Sequence, residues 1–222
     1  MKNLFLASCL ALSLTSGLLA DSITVSSVNG GAATGSPKLN LDSLVLGNST
    51  QWADAVIKVS FTGTAQVVQG AAGGLYAAPF VSGSNGVGFG NPVGADTTHY
   101  LSTGIGSVVL DFTSQQNYFG LLWGSVDNYN TLEFYNGASL VGSFTGTAIW
   151  ASANGNQGQQ GTFYVNFNDT NGSFNKVVAK SSQYAFEFDN IAYNGQGVPD
   201  GGATLAFVGL AFAGLAAVRR KR

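Results

Sequence analysis

Residues 131–144 read TLEFYNGASLVGSF, and this stretch carries the clearest strand pattern in the chain. Apolar and polar side chains alternate in residues 132–135 (LEFY), which is the period of a strand with one buried face. Residues 136–138 (NGA) follow, and Asn-Gly is a favoured hairpin turn because both residues tolerate positive φ. The stretch therefore predicts an antiparallel hairpin of residues 131–135 and 139–144.

Similar runs of β-branched and aromatic residues recur along the chain. They lie at residues 23–28, 56–61, 64–69, 107–112, 118–123, 162–167, 176–180 and 184–193. The Thr62-Gly63 link predicts a second hairpin, whereas the Gly, Ala, Pro and Asn of residues 70–105 predict long loops with one short strand at most. Eight or more strands without an amphipathic helix indicate an all-β protein, which we expect to be an antiparallel β-sandwich, jelly-roll-like.

The composition excludes several classes of function. Cys9 and His99 are the only Cys and His, which excludes thiol catalysis, disulfides and Cys/His zinc sites in the folded part. Residues 21–200 contain four Lys, no Arg and eleven acidic residues, a formal charge of −7. Nucleic acid and other strongly anionic polymers need clustered cations, so binding of these partners is excluded as well.

The first twenty residues have the composition of a secretory signal peptide. One positive charge precedes an apolar run at residues 4–14, and small residues continue to Ala20. Cleavage is expected near Ala20 or three residues earlier, because Leu18 is larger than the small residue usually required there. Residues 6–9 (LASC) resemble a lipoprotein box, which leaves lipidation of Cys9 as an alternative, although the apolar run continues past it.

The C-terminal end has three parts in a fixed order. A sixteen-residue apolar stretch, 203–218, would span about 24 Å as a helix, a minimal length for crossing a bilayer. A basic block follows it and is expected to stay in the cytoplasm, which places the preceding domain on the outer face. A permanent membrane helix is one interpretation of this order. The short motif before the helix is Val198, Pro199, Asp200, Gly201 and Gly202, and the basic block is Arg219, Arg220, Lys221 and Arg222.

This order resembles the PEP-CTERM class of bacterial sorting signals, in the variant that begins Val-Pro-Asp. The resemblance implies processing by a signal peptidase and by an exosortase-like membrane enzyme. It also implies transient contact with the inner membrane, followed by release to the cell surface or the extracellular space. A eukaryotic glycolipid-anchor signal is disfavoured, because its apolar tail ends the chain without a basic block.

The chain is accordingly expected to contain one folded domain between two signals. The parts are a signal peptide (1–20), a β-sandwich domain (21–195) and a C-terminal sorting signal (196–222) with its motif at 198–202, apolar helix at 203–218 and basic tail at 219–222. Residues 118–132, 153–157, 163–167 and 185–190 resemble the core of a family of exosortase-dependent bacterial surface proteins. That resemblance covers about residues 75–193 and implies an exported surface domain, not an activity.

Candidate catalytic residues are scattered. His99 lacks a Gly-x-Ser-x-Gly elbow in supporting context, and we expect it to be solvated in a loop or an edge strand. Carboxylate pairs for glycoside cleavage could come from Glu133, Glu187, Asp127 or Asp189, but the sequence does not place any two opposite each other. Alternation puts Glu187 and Asp189 on one strand face, expected to be its solvent side. We therefore expect no enzymatic activity.

The sequence leaves two kinds of ligand site as alternatives, one for calcium and one for a sugar. Calcium favours carboxylate and amide oxygens, which Asp127, Asn130 and Asp189 offer without the spacing of a calcium loop, and hydrogen bonding within turns explains them equally well. No cofactor is therefore expected, with calcium as the alternative.

A sugar would stack on exposed aromatic side chains, for which Trp52, Trp150 and Tyr129 are the candidates, while Trp123 is expected in the core. The expected role is structural or adhesive, at the surface or in the extracellular matrix. The alternative is a carbohydrate-binding module of jelly-roll type, with an extracellular polysaccharide as partner.

Overall fold

The computed structural model describes residues 23–28 and 30–195. This part of the chain folds into strands of 2 to 19 residues with one α-helical turn, α1 (Gly146–Ile149), and one turn of 3-10 helix (Gln159–Gly161). Each strand pairing is antiparallel, which confirms the expected all-β class. The strands are β1 (Ile23–Val28), β2 (Lys38–Leu39), β3 (Gln51–Trp52), β4 (Ile57–Gly63), β5 (Gln66–Gln69), β6 (Phe80–Val81), β7 (Gly94–Ala95), β8 (His99–Thr103), β9 (Gly106–Gly124), β10 (Asn130–Asn136), β11 (Ser139–Thr145), β12 (Phe163–Asp169), β13 (Phe174–Ser181) and β14 (Phe186–Gly195).

The longest strand, β9, belongs to two layers of sheet. Its residues 106–112 pair with β4 and β13, and its residues 118–124 pair mainly with β12 and β14. The first layer has the order β3-β4-β9-β13-β10-β11, and the second has the order β1-β12-β9-β14-β8-β5. Residues 113–115 are polar and exposed where the strand passes from one layer to the other. The two runs expected as separate strands at 107–112 and 118–123 are therefore one.

The apolar faces of the two layers pack against each other around a single core. Phe134 of the first layer contacts Phe119 and Phe167 of the second, with ring centroids 6.0 and 4.9 Å apart. Trp123 is fully buried and stacks on Phe186 at a centroid distance of 4.3 Å, as expected for a core residue.

The outer face of the second layer is covered by the segment between β5 and β8, residues 70–98, here called the cover segment. Phe89 of the cover segment packs on Tyr164, with ring centroids 5.7 Å apart. A small second cluster joins the cover segment to this layer, formed by the buried side chains Val81, Tyr118, Leu122, Tyr164 and Ala192. The predicted long loops are thus confirmed in this segment, which also contains the two-stranded β6–β7 sheet. The prediction of at most one short strand in residues 70–105 was wrong, because three strands, β6, β7 and β8, lie there.

Side chains along β14 alternate between two faces as predicted, but the outer face is buried. Phe186 and Phe188 point into the core, so Glu187 and Asp189 share the opposite face as expected. The expectation that this face is the solvent side was wrong, because the cover segment leaves Glu187 only 2% exposed and Asp189 0% exposed.

The two expected hairpins had different outcomes. β10 and β11 pair directly, and Gly137 adopts a φ of 59° in their turn, although Asn136 is the last strand residue and has no positive φ. The hairpin at Thr62-Gly63 was wrong, because β4 pairs with β9 while β5 pairs with β8 in the other layer. A local turn pattern cannot distinguish a chain reversal within one sheet from a crossing between two sheets.

Among the described residues, no helix is long and apolar enough to span a membrane. The expected signal peptide (1–20), the sorting motif with Val198, Pro199, Asp200, Gly201 and Gly202, the apolar helix (203–218) and the basic tail lie outside these residues.

Candidate functional site

A cleft of about 300 Å³ opens where the cover segment meets the end of β9 and the start of β14. This volume is at the lower end of the range for small-molecule sites. One wall is the Gly- and Ala-rich start of the cover segment, residues 71–77. The other walls carry Ser125, Asp127, Tyr129, Asn154, Gly155, Gln157, Tyr184, Ala185 and Glu187.

Glu187 forms the floor of this cleft. Its Oε1 accepts a 2.9 Å hydrogen bond from the backbone N–H of Ala77, and its Oε2 accepts a 2.5 Å bond from the Ser125 hydroxyl. Burial raises the pKa of Glu187 to about 7, against the lowering effect of these two hydrogen bonds. Near neutral pH the floor of the cleft therefore gains or loses a proton.

Asp127 stands beside Glu187 in the wall of the cleft. Its Oδ2 accepts a 2.6 Å hydrogen bond from the Tyr129 hydroxyl, whose oxygen also lies 2.9 Å from the backbone carbonyl oxygen of Tyr184. A Cβ on Gly155 would lie 2.8 Å from each Asp127 oxygen, so the absence of a side chain there lets the loop approach the carboxylate. Burial raises the pKa of Asp127, while the Tyr129 hydrogen bond lowers it.

The ionisable carboxyl groups that line the cleft have no basic side chain beside them among the described lining residues. No Lys or Arg is among its lining residues in the described part of the chain, whereas two carboxyl groups are. The charge of Asp127 contributes to the raised pKa of Glu187, although less than burial does. The cleft therefore offers hydrogen-bond acceptors to a neutral or positively charged ligand and disfavours an anion.

The three predicted stacking residues are not brought together. Only Tyr129 lines the cleft, and it is half-buried. Trp52 lies on β3 and is 55% exposed. Trp150 follows α1 and packs on Phe163, with ring centroids 5.5 Å apart. A stacking role for Trp52, Trp150 or Tyr129 stays a prediction.

The three predicted metal ligands lie in different environments. Asp127 lines the cleft, whereas Asn130 is fully buried, with its Oδ1 accepting from Ser181 at 2.7 Å and its Nδ2 donating to the Ala185 carbonyl at 3.0 Å. Asp189 is fully buried below the cover segment. Within the described residues no three His, Cys, Asp or Glu side chains cluster in a way that could hold a metal.

The other candidate acid–base residues, His99 and Glu133, do not line the cleft. His99 lies in β8 between two other strands, so it is not on an edge strand, and its Nδ1 is 2.7 Å from the Leu44 carbonyl. Glu133 forms an ion pair with Lys180 and accepts a 2.8 Å hydrogen bond from the Tyr135 hydroxyl.

Sequence reasoning missed Ser125, Tyr184 and residues 71–77 as parts of one cleft. The alternation around Glu187 did signal a side chain pointing away from the core. That side is covered by residues 71–77, and the hydrogen bond from Ala77 to Glu187 spans 110 residues, so no local sequence pattern could predict the contact.

The C-terminal end of the chain matches the model of a known family. Residues 197–222 match the model of the VPDSG-CTERM motif. The segment is thus a PEP-CTERM-like exosortase sorting signal, and Gly201 stands where the motif's name has Ser. The match suggests an exosortase-targeted surface protein and is consistent with export and display at the cell surface. No curated protein and no solved structure matches the chain.

Proposed function

We propose that this protein is an exported component of the bacterial surface or extracellular matrix with a structural or adhesive role. The β domain is the mature part, a jelly-roll-like sandwich with no enzymatic activity and no required cofactor for this role. A signal peptidase removes residues 1–20, and an exosortase-like enzyme processes the tail after transient membrane contact.

The observation that carries this proposal is the position of the sorting signal. The last strand, β14, ends at Gly195, and the matched signal begins at residue 197. Cleavage near the motif would therefore leave the two layers of sheet intact, since no strand of the described domain would be shortened.

Intact mass spectrometry of the protein from the native host tests the processing. The expected species begins near Asp21 and ends near residues 198–202. Replacing Pro199 and Asp200 by Ala should leave an unprocessed precursor in the membrane fraction. A matched change outside the motif, Gln196→Ala, should be processed like the natural chain. A natural chain that retains its four C-terminal basic residues would contradict the proposal.

A carbohydrate-binding role is the second candidate, and the acidic cleft favours it. Asp127, Glu187 and Tyr129 present acceptors and a half-buried ring within one cleft of about 300 Å³. Sugars bind through such combinations of hydrogen-bonding groups and aromatic faces. The lack of cations in the lining favours neutral sugars or amine-bearing hexosamines over uronate or sulfated polymers.

Calorimetric titration with glucosamine and galacturonate disaccharides tests this candidate. We expect binding of the glucosamine disaccharide only, and on the order of tenfold weaker binding for Asp127→Asn. Trp52→Ala is the control, because Trp52 lies outside the cleft. Loss of binding in the Trp52 variant with no change in the Asp127 variant would place the sugar on the exposed indole instead.

A further inference from the structure

A second depression, here called the side pocket, adjoins the cleft. It has a volume of about 230 Å³, and residues 64–66, Ser102, Leu75, Tyr76 and Tyr184 are among those that line it. Leu75, Tyr76 and Tyr184 also line the cleft. The cleft and the side pocket are therefore neighbours that share one wall.

The shared wall is apolar and partly open to solvent. Leu75 is 46% exposed and Tyr184 is 41% exposed, while Tyr76 is half-buried and packs edge-on against Tyr100 with ring centroids 6.4 Å apart. A ligand too long for the cleft would thus pass over Leu75 and Tyr184 to enter the side pocket.

The ring of Tyr184 is positioned by the residues around it. It occupies the space left by the missing side chain of Gly104, since a Cβ there would overlap two carbons of the ring. The backbone carbonyl oxygen of Tyr184 lies 2.9 Å from the hydroxyl oxygen of Tyr129. The ring therefore packs on Gly104 and still leaves part of its surface available to a ligand.

The side pocket presents hydrogen-bonding groups without formal charge. Asn48 and Gln66 contribute side-chain amides to its lining, and Thr64 and Ser102 contribute hydroxyls. No Lys or Arg is among the described residues that line either space, and the two carboxyl groups lie in the cleft alone. This lining offers donors and acceptors to a hydroxyl-rich ligand and disfavours an anionic polymer.

A linear polysaccharide fits this combination of surfaces. A sugar unit has an apolar face of C–H groups, which packs on an aromatic ring, and hydroxyl groups around its edge, which bind polar side chains. Tyrosine provides such a contact at low entropic cost because its side chain has only two torsion angles. Tyr184 would hold one sugar unit while the units on either side reach into the cleft and the side pocket.

We propose that Tyr184 is the stacking platform of a site for a linear glycan, neutral or amine-bearing, that occupies the cleft and the side pocket together. The inference rests on the carbohydrate-binding role proposed above and adds to it the length of the ligand and the residue that joins the two spaces. Trp52 and Trp150, the tryptophans suggested by the sequence, line neither space.

Calorimetric titration with β-1,4-linked glucosamine oligomers of two and six units tests the length of the site. The full-length chain is used in a detergent without a sugar headgroup. The hexasaccharide should bind on the order of a hundredfold tighter than the disaccharide, because a ligand anchored in the cleft meets the side pocket at high effective concentration.

Two results of this titration would contradict the inference in different ways. A gain of about fivefold or less, which the overlapping disaccharide units of the longer chain alone would give, overturns the two-part site but leaves the carbohydrate-binding role in place. Binding of neither oligomer overturns both.

Variants of Tyr184 test the platform. Tyr184→Ala should reduce the gain of the hexasaccharide to that statistical level, whereas Tyr184→Phe retains the ring and should retain the gain. The matched control is Trp52→Ala, which removes an exposed aromatic side chain outside both spaces and should change neither affinity. A gain that persists in Tyr184→Ala, or that is lost in Trp52→Ala alone, means that the glycan does not cross Tyr184.

Thermal unfolding measured in parallel shows whether each variant folds. Should Tyr184→Ala fail to fold, Asn48→Ala replaces it, because Asn48 is exposed and lines the side pocket but not the cleft. This variant should weaken binding of the hexasaccharide and leave that of the disaccharide unchanged. An equal loss for both oligomers, or no loss for the hexasaccharide, would overturn the proposal.

Discussion

The Ser125 hydroxyl donates a 2.5 Å hydrogen bond to Glu187, joining the segment after β9 to the outer face of β14. The carboxyl group that accepts it has a pKa raised by burial from an ordinary value of 4.5 to about 7. The folded protein therefore holds a proton on Glu187 that the unfolded chain releases between pH 4.5 and 7. The stabilising contribution of this group is therefore complete below pH 4.5 and is lost as the pH rises through about 7.

The contribution of Glu187 to stability should thus fall as pH rises from 4.5 to 7, by about 3 kcal/mol in all. Glu187→Gln should remove this part of the slope when the free energy of unfolding is measured by urea titration across the window. Asp111→Asn, a change of a half-buried carboxylate on β9, is the control and should keep the slope. An unchanged slope in Glu187→Gln would contradict the assignment.

Phe134→Ala should destabilise the domain strongly, because Phe134 is fully buried between the layers. Its ring lies 4.9 Å from both Phe167 and Phe174, centroid to centroid. Loss of such a ring leaves a cavity and costs about 3–5 kcal/mol in the free energy of unfolding. Leu140→Ala removes a side chain that is 53% exposed and should cost about 0.5 kcal/mol or less. Equal effects in denaturant titrations would mean that the layers do not pack through Phe134.

Gly63→Ala and Gly137→Ala separate backbone conformation from steric contact. The two glycines have φ of 60° and 59°, so both substitutions carry the same conformational cost of about 1–2 kcal/mol. A Cβ on Gly137 meets nothing within 4 Å, whereas one on Gly63 would lie 2.1 Å from the Ile105 carbonyl oxygen. Thermal unfolding should therefore show a clearly larger loss for Gly63→Ala. Similar losses would show that the β4–β9 end relaxes freely.

The strands of this protein were predictable where each one buries a single face. The bounds of β1 are those of the predicted run 23–28, and β10 contains the predicted residues 131–135. The continuity of β9 was not predictable, because residues 113–115 are polar and resemble a turn while serving as the crossing between layers. The β4–β5 connection failed for a related reason, since the partners of both strands lie far along the chain.

The candidate sites were predictable only in part. Asp127, Tyr129 and Asp189 could be identified as residue types suited to binding, but their surroundings depend on the cover segment. That segment is rich in Gly and Ala and has no period, so the sequence did not indicate which surface it covers. The burial of Asp189 is a consequence of this long-range packing and has no local signature.

The place of β14 in the sheet also affects how the domain bears a mechanical load. This strand is the last described before the sorting signal, and it is paired on one side with β9 and on the other with β8 and β2. Hydrogen bonds between antiparallel strands run perpendicular to the strands, so tension along β14 acts on many of them at the same time. A domain held at the cell surface through its C-terminal end would therefore be loaded along an interior strand, in shear against its neighbours, and not by peeling a strand from the edge of the sheet.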